Sequence, residues 1–422
     1  MTNKENKTVM LNSFSCKDFR NVNMEDFKLS KYNILVGPNN AGKSNFIKAI
    51  SIVSDMLTNH HAGKFDSAFL NMVSRNNWSH AHNDASEISS PIKMCWDLNF
   101  NGTPVSYDFE YRVSDSVKRC KVAKESLSGK PQQGYSMGFN YFSRTDGIVQ
   151  FSTAMGRGRK NKRLPCHLNA QETLLAQFEN LLLNNKNLYD LDYVRCDIAD
   201  FMNTLRDYFK GYQMFSVSQF NSDAIRSSVD CRNTDVDLNS SASNFVNVYN
   251  NLCENEAWAE EFLFKFKMAV HNIEKIEVER QFNQITLGLR YNNKQYDLAD
   301  VSEGTIKMLL LNTIINMKTS TNSSLLSIDE PEINLHPAWQ KVVGHWLLSS
   351  SKFNQYFIST HSPDFLDTFT EEFKLGNVSV LAFSQDEAPR CIRYQDIAEE
   401  LGDWELGDLY RTADPALGGW PW

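Results

Sequence analysis

Apolar positions along the chain change period several times, and each change marks an element. Val9 to Phe14 and Tyr32 to Val36 read as strands on either side of a turn near Asn21 to Asn23. From Lys43 the apolar spacing becomes helical and runs to about Leu57. Residues 59–90 are rich in Asn, His and Ser, which predicts a loop-rich linker. Five apolar runs then alternate with turn signals: Ile92 to Phe100, Pro104 to Val113, Val117 to Leu127, Tyr135 to Phe142 and Ile148 to Ser152. With Asn101-Gly102, Ser114-Asp115, Ser128-Gly129 and Asp146-Gly147 between them, they predict an antiparallel meander. Helical spacing returns in Thr173 to Leu183, Ile198 to Phe209 and Glu256 to Val270. The polar stretch 221–243 reads as a surface loop, and Ile273 to Val278 with Ile285 to Tyr291 as a strand pair. After residue 300, helix and strand alternate, the mark of a parallel sheet with crossover helices.

Bulk properties narrow the classes. A chain of 422 residues suggests two or three domains, and 41% hydrophobic with 22% charged residues is ordinary for a globular protein. A net charge of −8 argues against a uniformly basic nucleic-acid coat. The eight cysteines form no C-x-x-C pair, so neither a zinc site nor a disulfide framework is indicated. The polar start, Met1 to Asn6, has no apolar signal core, and Met308 to Met317 is too short to span a bilayer. A soluble, cytoplasmic protein without membrane association is expected.

The chemistry is concentrated in three places. Gly37-Pro38-Asn39-Asn40-Ala41-Gly42-Lys43-Ser44 fits G-x-x-x-x-G-K-[ST] between an apolar strand and a helix. Gly37 and Gly42 let the backbone wrap a polyphosphate, and the loop amides with the helix N-terminus meet its charge. Lys43 would reach the β- and γ-phosphates and Ser44 would ligate Mg²⁺. A chance Gly/Asn turn is the alternative. Second, Leu325-Leu326-Ser327-Ile328-Asp329-Glu330 is an apolar strand ending in two acids. Asp329 would hold Mg²⁺ and Glu330 would act as general base on water; an acidic N-cap is the plainer reading. Third, Gln355 to Ser359 is a strand leading to His361, whose imidazole could bond the γ-phosphate or the lytic water. Val301-Ser302-Glu303-Gly304-Thr305 opens an apolar helix. Ser302 reads as an N-cap, or with Gly304 as a signature loop facing the γ-phosphate of a second subunit.

In order and content these motifs resemble the ABC-type, AAA-family ATPase heads of the SMC/RecF/OLD group. The run Asp329-Glu330-Pro331-Glu332-Ile333-Asn334-Leu335-His336-Pro337 and Ser359-Thr360-His361-Ser362-Pro363 look most like OLD-type stand-alone bacterial ATPases. The resemblance implies an α/β fold: an ABC-ATPase head with an antiparallel β subdomain and a helical insertion. The head would comprise 1–58 and 273–422, the β subdomain 91–153, and the helical insertion 154–272. It implies ATP and Mg²⁺ as cofactors, with nucleotide contacts from Gly37, Asn39, Asn40, Gly42, Lys43, Ser44, Asn45 and Arg20. Ser44 and Asp329 would hold the metal; Glu330, His361 and Lys43 would carry catalysis. Ser302 and Gly304 would act in trans, in a homodimer or larger homo-oligomer, with Asn334 to His336 as the D-loop. Val301 and Glu303 depart from Leu-Ser-Gly-Gly, and Glu303 adds charge near the γ-phosphate. No Q-loop glutamine stands out.

OLD nucleases carry a Toprim domain after the ATPase, whereas 61 residues follow His361 here. Asp364 and Asp367 lie too close to His361 to stand for that domain. The expected function is therefore an ATP-hydrolysing sensor or scaffold that controls a separate effector, a nuclease. Similar ATPases occur in Septu- and PARIS-type anti-phage systems. The alternative is a RecF-like DNA-repair ATPase that binds DNA directly; a third reading is a nucleotide-binding protein without turnover. Nucleic acid could be held by the basic run within 157–163, which otherwise reads as a solvated loop. The aromatic C-terminal stretch, Trp404 to Tyr410 and Trp420 to Trp422, is expected to pack on the core.

Overall fold

The computed structural model describes residues 9–59, 91–114, 119–129, 139–152, 161–163, 168–170, 172–184, 196–317, 324–385 and 387–417. The linker 60–90, most of the basic run and the last five residues lie outside them, so the readings made there are not addressed. The chain forms two compact units. The first comprises residues 1–30, 39–212 and 383–391; the second comprises 31–38, 213–382 and 392–422.

The first unit is built on an antiparallel sheet. Its strands are β1 (Val9–Phe19), β2 (Val22–Lys28), β4 (Ile92–Phe100), β5 (Thr103–Ser114), β6 (Arg119–Gly129), β7 (Phe139–Thr145), β8 (Ile148–Ser152) and β9 (Asn161–Arg163). They lie in the order β2-β1-β4-β5-β6-β7-β8-β9. Burial alternates along β4, as it must when one face meets a core and the other water. Asn101-Gly102 and Asp146-Gly147 take positive φ at both residues, the geometry of a two-residue hairpin. The helix Lys43–Asn59 packs on helices Leu174–Asn184 and Cys196–Lys210. Phe14 of β1 meets Phe46 of the first helix edge-on at 5.8 Å, and Trp96 meets Phe209 at 5.9 Å. Beneath lies a buried Glu125, which accepts from the Leu174 amide (2.6 Å) and the Tyr107 hydroxyl (2.9 Å). Arg144 stands 3.6 Å away and donates to the carbonyls of Glu172 and Asn169, so the buried charges are paired and bonded.

The second unit carries a parallel sheet. It contains β3 (Tyr32–Val36), β10 (Gln213–Ser216), β15 (Leu325–Asp329), β16 (Gln355–Ser359) and β17 (Val378–Ala382), in the order β10-β15-β16-β3-β17. Every residue of β3, β15, β16 and β17 is buried, as in a parallel sheet covered on both faces. A small antiparallel sheet pairs β12 (Ile273–Gln281) with β13 (Gln284–Tyr291). The helix Glu303–Asn316 is buried on all sides from Thr305 onward. Its Asn312 donates to the Phe262 carbonyl at 2.9 Å and its Asn316 to Asn312, so the polar groups that interrupt the apolar run are satisfied. No helix among the described residues is long and apolar enough to cross a membrane. The expected class is the observed one: α/β, with helices and a separate antiparallel subdomain.

Candidate functional site

In-register pairing places three strand ends together. Asp329 pairs with Ser359, and Ser359 with Leu35, so β15, β16 and β3 end level at the carboxyl edge of the parallel sheet. That edge is where open α/β sheets present ligand-binding loops. The chain leaves β3 there through Gly37 and Pro38.

At this edge Ser359 fixes both acids of the second motif. Its hydroxyl donates to Asp329 Oδ1, while the Glu330 amide donates to the Ser359 carbonyl and hydroxyl oxygens at 3.1 Å each. Glu330 adopts a left-handed φ of 54°, uncommon for a residue with a Cβ, and these bonds hold it there. The His361 Nε2 lies 3.6 Å from Glu330 Oε1. His361 is held in turn by Glu332, whose Oε1 accepts the His361 amide proton at 2.6 Å. Burial, aided by the neighbouring Glu330 carboxylate, pushes the Glu332 pKa up to about 7. Ser362 caps the helix Pro363–Asp367 and donates to Gln340, which donates to the Leu335 carbonyl at 3.0 Å. Tyr410 is buried beside them, and burial raises its pKa. Arg411 binds Asp364 at 3.0 Å and Asp367 at 2.8 Å.

In the first unit the remainder of the phosphate loop is braced by the β1–β2 turn. Asn21 donates to the Asn40 carbonyl at 2.9 Å, and Asn45 donates to Asn21 Oδ1 at 2.8 Å. Arg20 Nη1 donates to Asn45 Oδ1 at 2.5 Å, and Gln385 donates to the Asn39 carbonyl at 3.0 Å. Gly42 has φ 111°, and a Cβ there would stand 3.1 Å from Asn21 Oδ1. Lys43 is buried and begins a helix with no acid in its first turn, and the dipole at that end favours negative charge. Arg20 Nε is buried with no hydrogen-bond partner among the described residues. A cationic donor without a partner among the described residues, beside a helix N-terminus, fits an anion such as a polyphosphate. The Ser44 hydroxyl in the first unit and the Asp329 carboxylate in the second are each a hard oxygen donor of the kind Mg²⁺ takes.

The helix Glu303–Asn316 is capped by Ser302, which accepts from the Thr305 amide at 3.2 Å. A Cβ on Gly304 would meet Trp339 at 3.1 Å and the Asn334 carbonyl at 3.4 Å. Gly304, Asn334 and Trp339 are thus neighbours within one unit. Asn334 has φ 61°, and His336 caps the next helix, Pro337–Ser349, through Nδ1.

Several contributors had no assigned part in the sequence reading. Ser359 and Glu332 lie inside the strand-end motifs, and a second acid two residues past Glu330 is the signal the sequence carries for the latter. Gln219, exposed, lies three residues beyond the end of β10, which runs level with Asp329.

The AAA ATPase domain family matches residues 10–366. No curated protein matches. Among solved structures, an SMC head bound to the C-terminal winged-helix domain of ScpA is 13% identical over 90% of this chain and 97% of that one, with TM-score 0.46. The SMC head domain from Thermotoga maritima gives 10%, 91% and 98%, with TM-score 0.41. The Smc head with an extended coiled coil, bound to the C-terminal domain of ScpA, from Pyrococcus furiosus gives 11%, 94% and 99%, with TM-score 0.45.

Proposed function

Since the chain belongs to the AAA ATPase domain family and is a P-loop ATPase, we propose that it is an ABC-type, OLD-like ATP switch. It works in the cytoplasm as a homodimer or larger homo-oligomer with shared ATP sites, and controls a separate nuclease in bacterial anti-phage defence. The observation that carries the catalytic part is the Ser359 hydroxyl joining Asp329 to the Glu330 turn, with His361 at 3.6 Å from Glu330.

In this reading Lys43, the loop amides and the helix N-terminus bind the phosphates of ATP, and Arg20 with Asn45 adds a cationic wall. Asp329 and Ser44 would hold Mg²⁺, which would supply charge neutralisation at the phosphates. Glu330 accepts the proton of the attacking water, and His361 orients that water. Ser302 and Gly304 address the γ-phosphate of a second copy. Asp364 and Asp367 are both paired to Arg411 in this reading and take no part in catalysis.

The test is complementation. Ser302→Arg should bind ATP but neither hydrolyse it well nor associate on ATP. Mixed with Lys43→Ala, it should regain part of the activity, because one site of the mixed dimer is built from two good halves. No recovery, with mixed dimers demonstrated, contradicts shared sites. Recovery of a nuclease with the native protein supports the effector role; ATP-dependent duplex binding by the purified chain alone favours the RecF-like reading instead.

A further inference from the structure

The segment 221–243, read from its polarity as a surface loop, contains an ordered clamp. Ser222–Arg226 forms a short helix capped by Asn221, whose side chain accepts from the Ala224 amide at 3.0 Å. Ile225 is fully buried and anchors it. From its end, Arg226 Nη1 donates to the carbonyls of Leu298 at 3.0 Å, Ala299 at 2.9 Å and Val301 at 2.8 Å. These carbonyls belong to the turn just before Ser302. Nη2 lies 3.5 Å from Glu303 Oε2, and the Ser222 hydroxyl donates to Glu303 Oε1 at 2.6 Å. Lys307 Nζ stands 4.0 Å from the same carboxylate. The Glu303 carboxylate at the candidate signature loop is thus tied to Arg226 and Ser222, and one guanidinium grips the backbone just before Ser302 and the side chain just after it.

We propose that Arg226 is a positioning residue for the shared ATP site. With Ser222 and Glu303 it fixes the backbone around Ser302 and Gly304, so that the hydroxyl and amide are presented to the nucleotide of a second copy. The inference rests on the shared-site reading. A planar fork suits this work because several donors leave one rigid group, which a lysine ammonium cannot reproduce. Holding a loop in place before ligand arrives matters, since a misplacement of about 1 Å can cost about 10²-fold in rate.

The experiment uses Arg226→Ala and Arg226→Lys in the full chain. Both should bind Mg·ATP like wild type by calorimetry. Hydrolysis should fall about 10²-fold in the alanine variant and less in the lysine variant, with kcat rather than KM carrying the loss. Mixing Arg226→Ala with Lys43→Ala should restore part of the activity, which a general folding defect would not allow. If Arg226→Ala does not fold, the double variant Ser222→Ala, Glu303→Gln loosens the same clamp and should give the same pattern, smaller in size. Wild-type turnover in these variants overturns the proposal. So does a loss that mixing fails to restore while Ser302→Arg is restored by the same partner. If Ser302→Arg is not restored either, the shared-site reading itself fails, and the role of Arg226 with it.

Discussion

Glu330 carries the sharpest residue-level claim. A left-handed backbone on a non-glycine residue costs of order 1–3 kcal/mol, and here it is held by two bonds to Ser359. Glu330→Gln keeps the shape and removes the base, so it should bind ATP and hydrolyse it about 10²–10⁴-fold more slowly. Wild-type turnover in that variant would shift the role of base to His361. Lys43→Ala should lose nucleotide binding by calorimetry with Mg²⁺ while its melting temperature stays close to wild type, because a phosphate-facing cation is lost rather than a core contact. Equal ATP affinity in the two proteins contradicts the phosphate-loop assignment. Glu332 gives a pH signature. Its folded pKa of about 7 lies above the ordinary carboxyl value of 4.5. The native state is thus favoured with this group protonated, below pH 4.5, and that advantage is lost as pH rises through 7. Relative to wild type, Glu332→Gln should gain up to about 3 kcal/mol of stability between pH 4.5 and 8. A pH-independent difference in denaturation midpoints would show that Glu332 is not ionised at a cost.

At the scale of elements, period and turn chemistry located most of the structure. The runs Ile92 to Phe100 and Ile148 to Ser152 are β4 and β8 to the residue, and the helix expected over Glu256 to Val270 spans Glu256–Ala269. The misses have physical causes. Ser128-Gly129 was read as a turn, yet both residues lie in β6 opposite Asn140 and Phe139. Gly129 is there for close approach: a Cβ would stand 2.6 Å from Val105 Cγ1 and 2.8 Å from the Pro104 carbonyl. Gly129→Ala should therefore destabilise the protein by about 1–3 kcal/mol in chemical denaturation; an unchanged midpoint would mean the strands part easily. The segment 221–243 was misread because its order comes from long-range bonds to residues 298–303, which local polarity does not encode. The strand β2 was not anticipated beyond its turn, since its polar residues face out and leave a sparse apolar signal. In the site, the phosphate loop and the paired acids were legible because their chemistry is local. The hold of Ser359 on Asp329 and of Glu332 on His361 was not, because sheet register creates it.

At the scale of the whole molecule, the chain is a P-loop ATPase of the AAA ATPase domain family, and the proposal is that its nucleotide state governs its association. The parallel sheet brings the ends of β3, β15 and β16 to one edge, and Gly304, at the start of the helix Glu303–Asn316, lies against Trp339 and Asn334. A ligand that bridges two copies shifts them toward the associated state by mass action, and hydrolysis removes the bridge. The most direct test is the molar mass of Glu330→Gln by light scattering, with and without Mg·ATP. The account predicts a larger mass with ATP than without, and no increase when Lys43→Ala is added to the same chain. An identical mass in both conditions would contradict it.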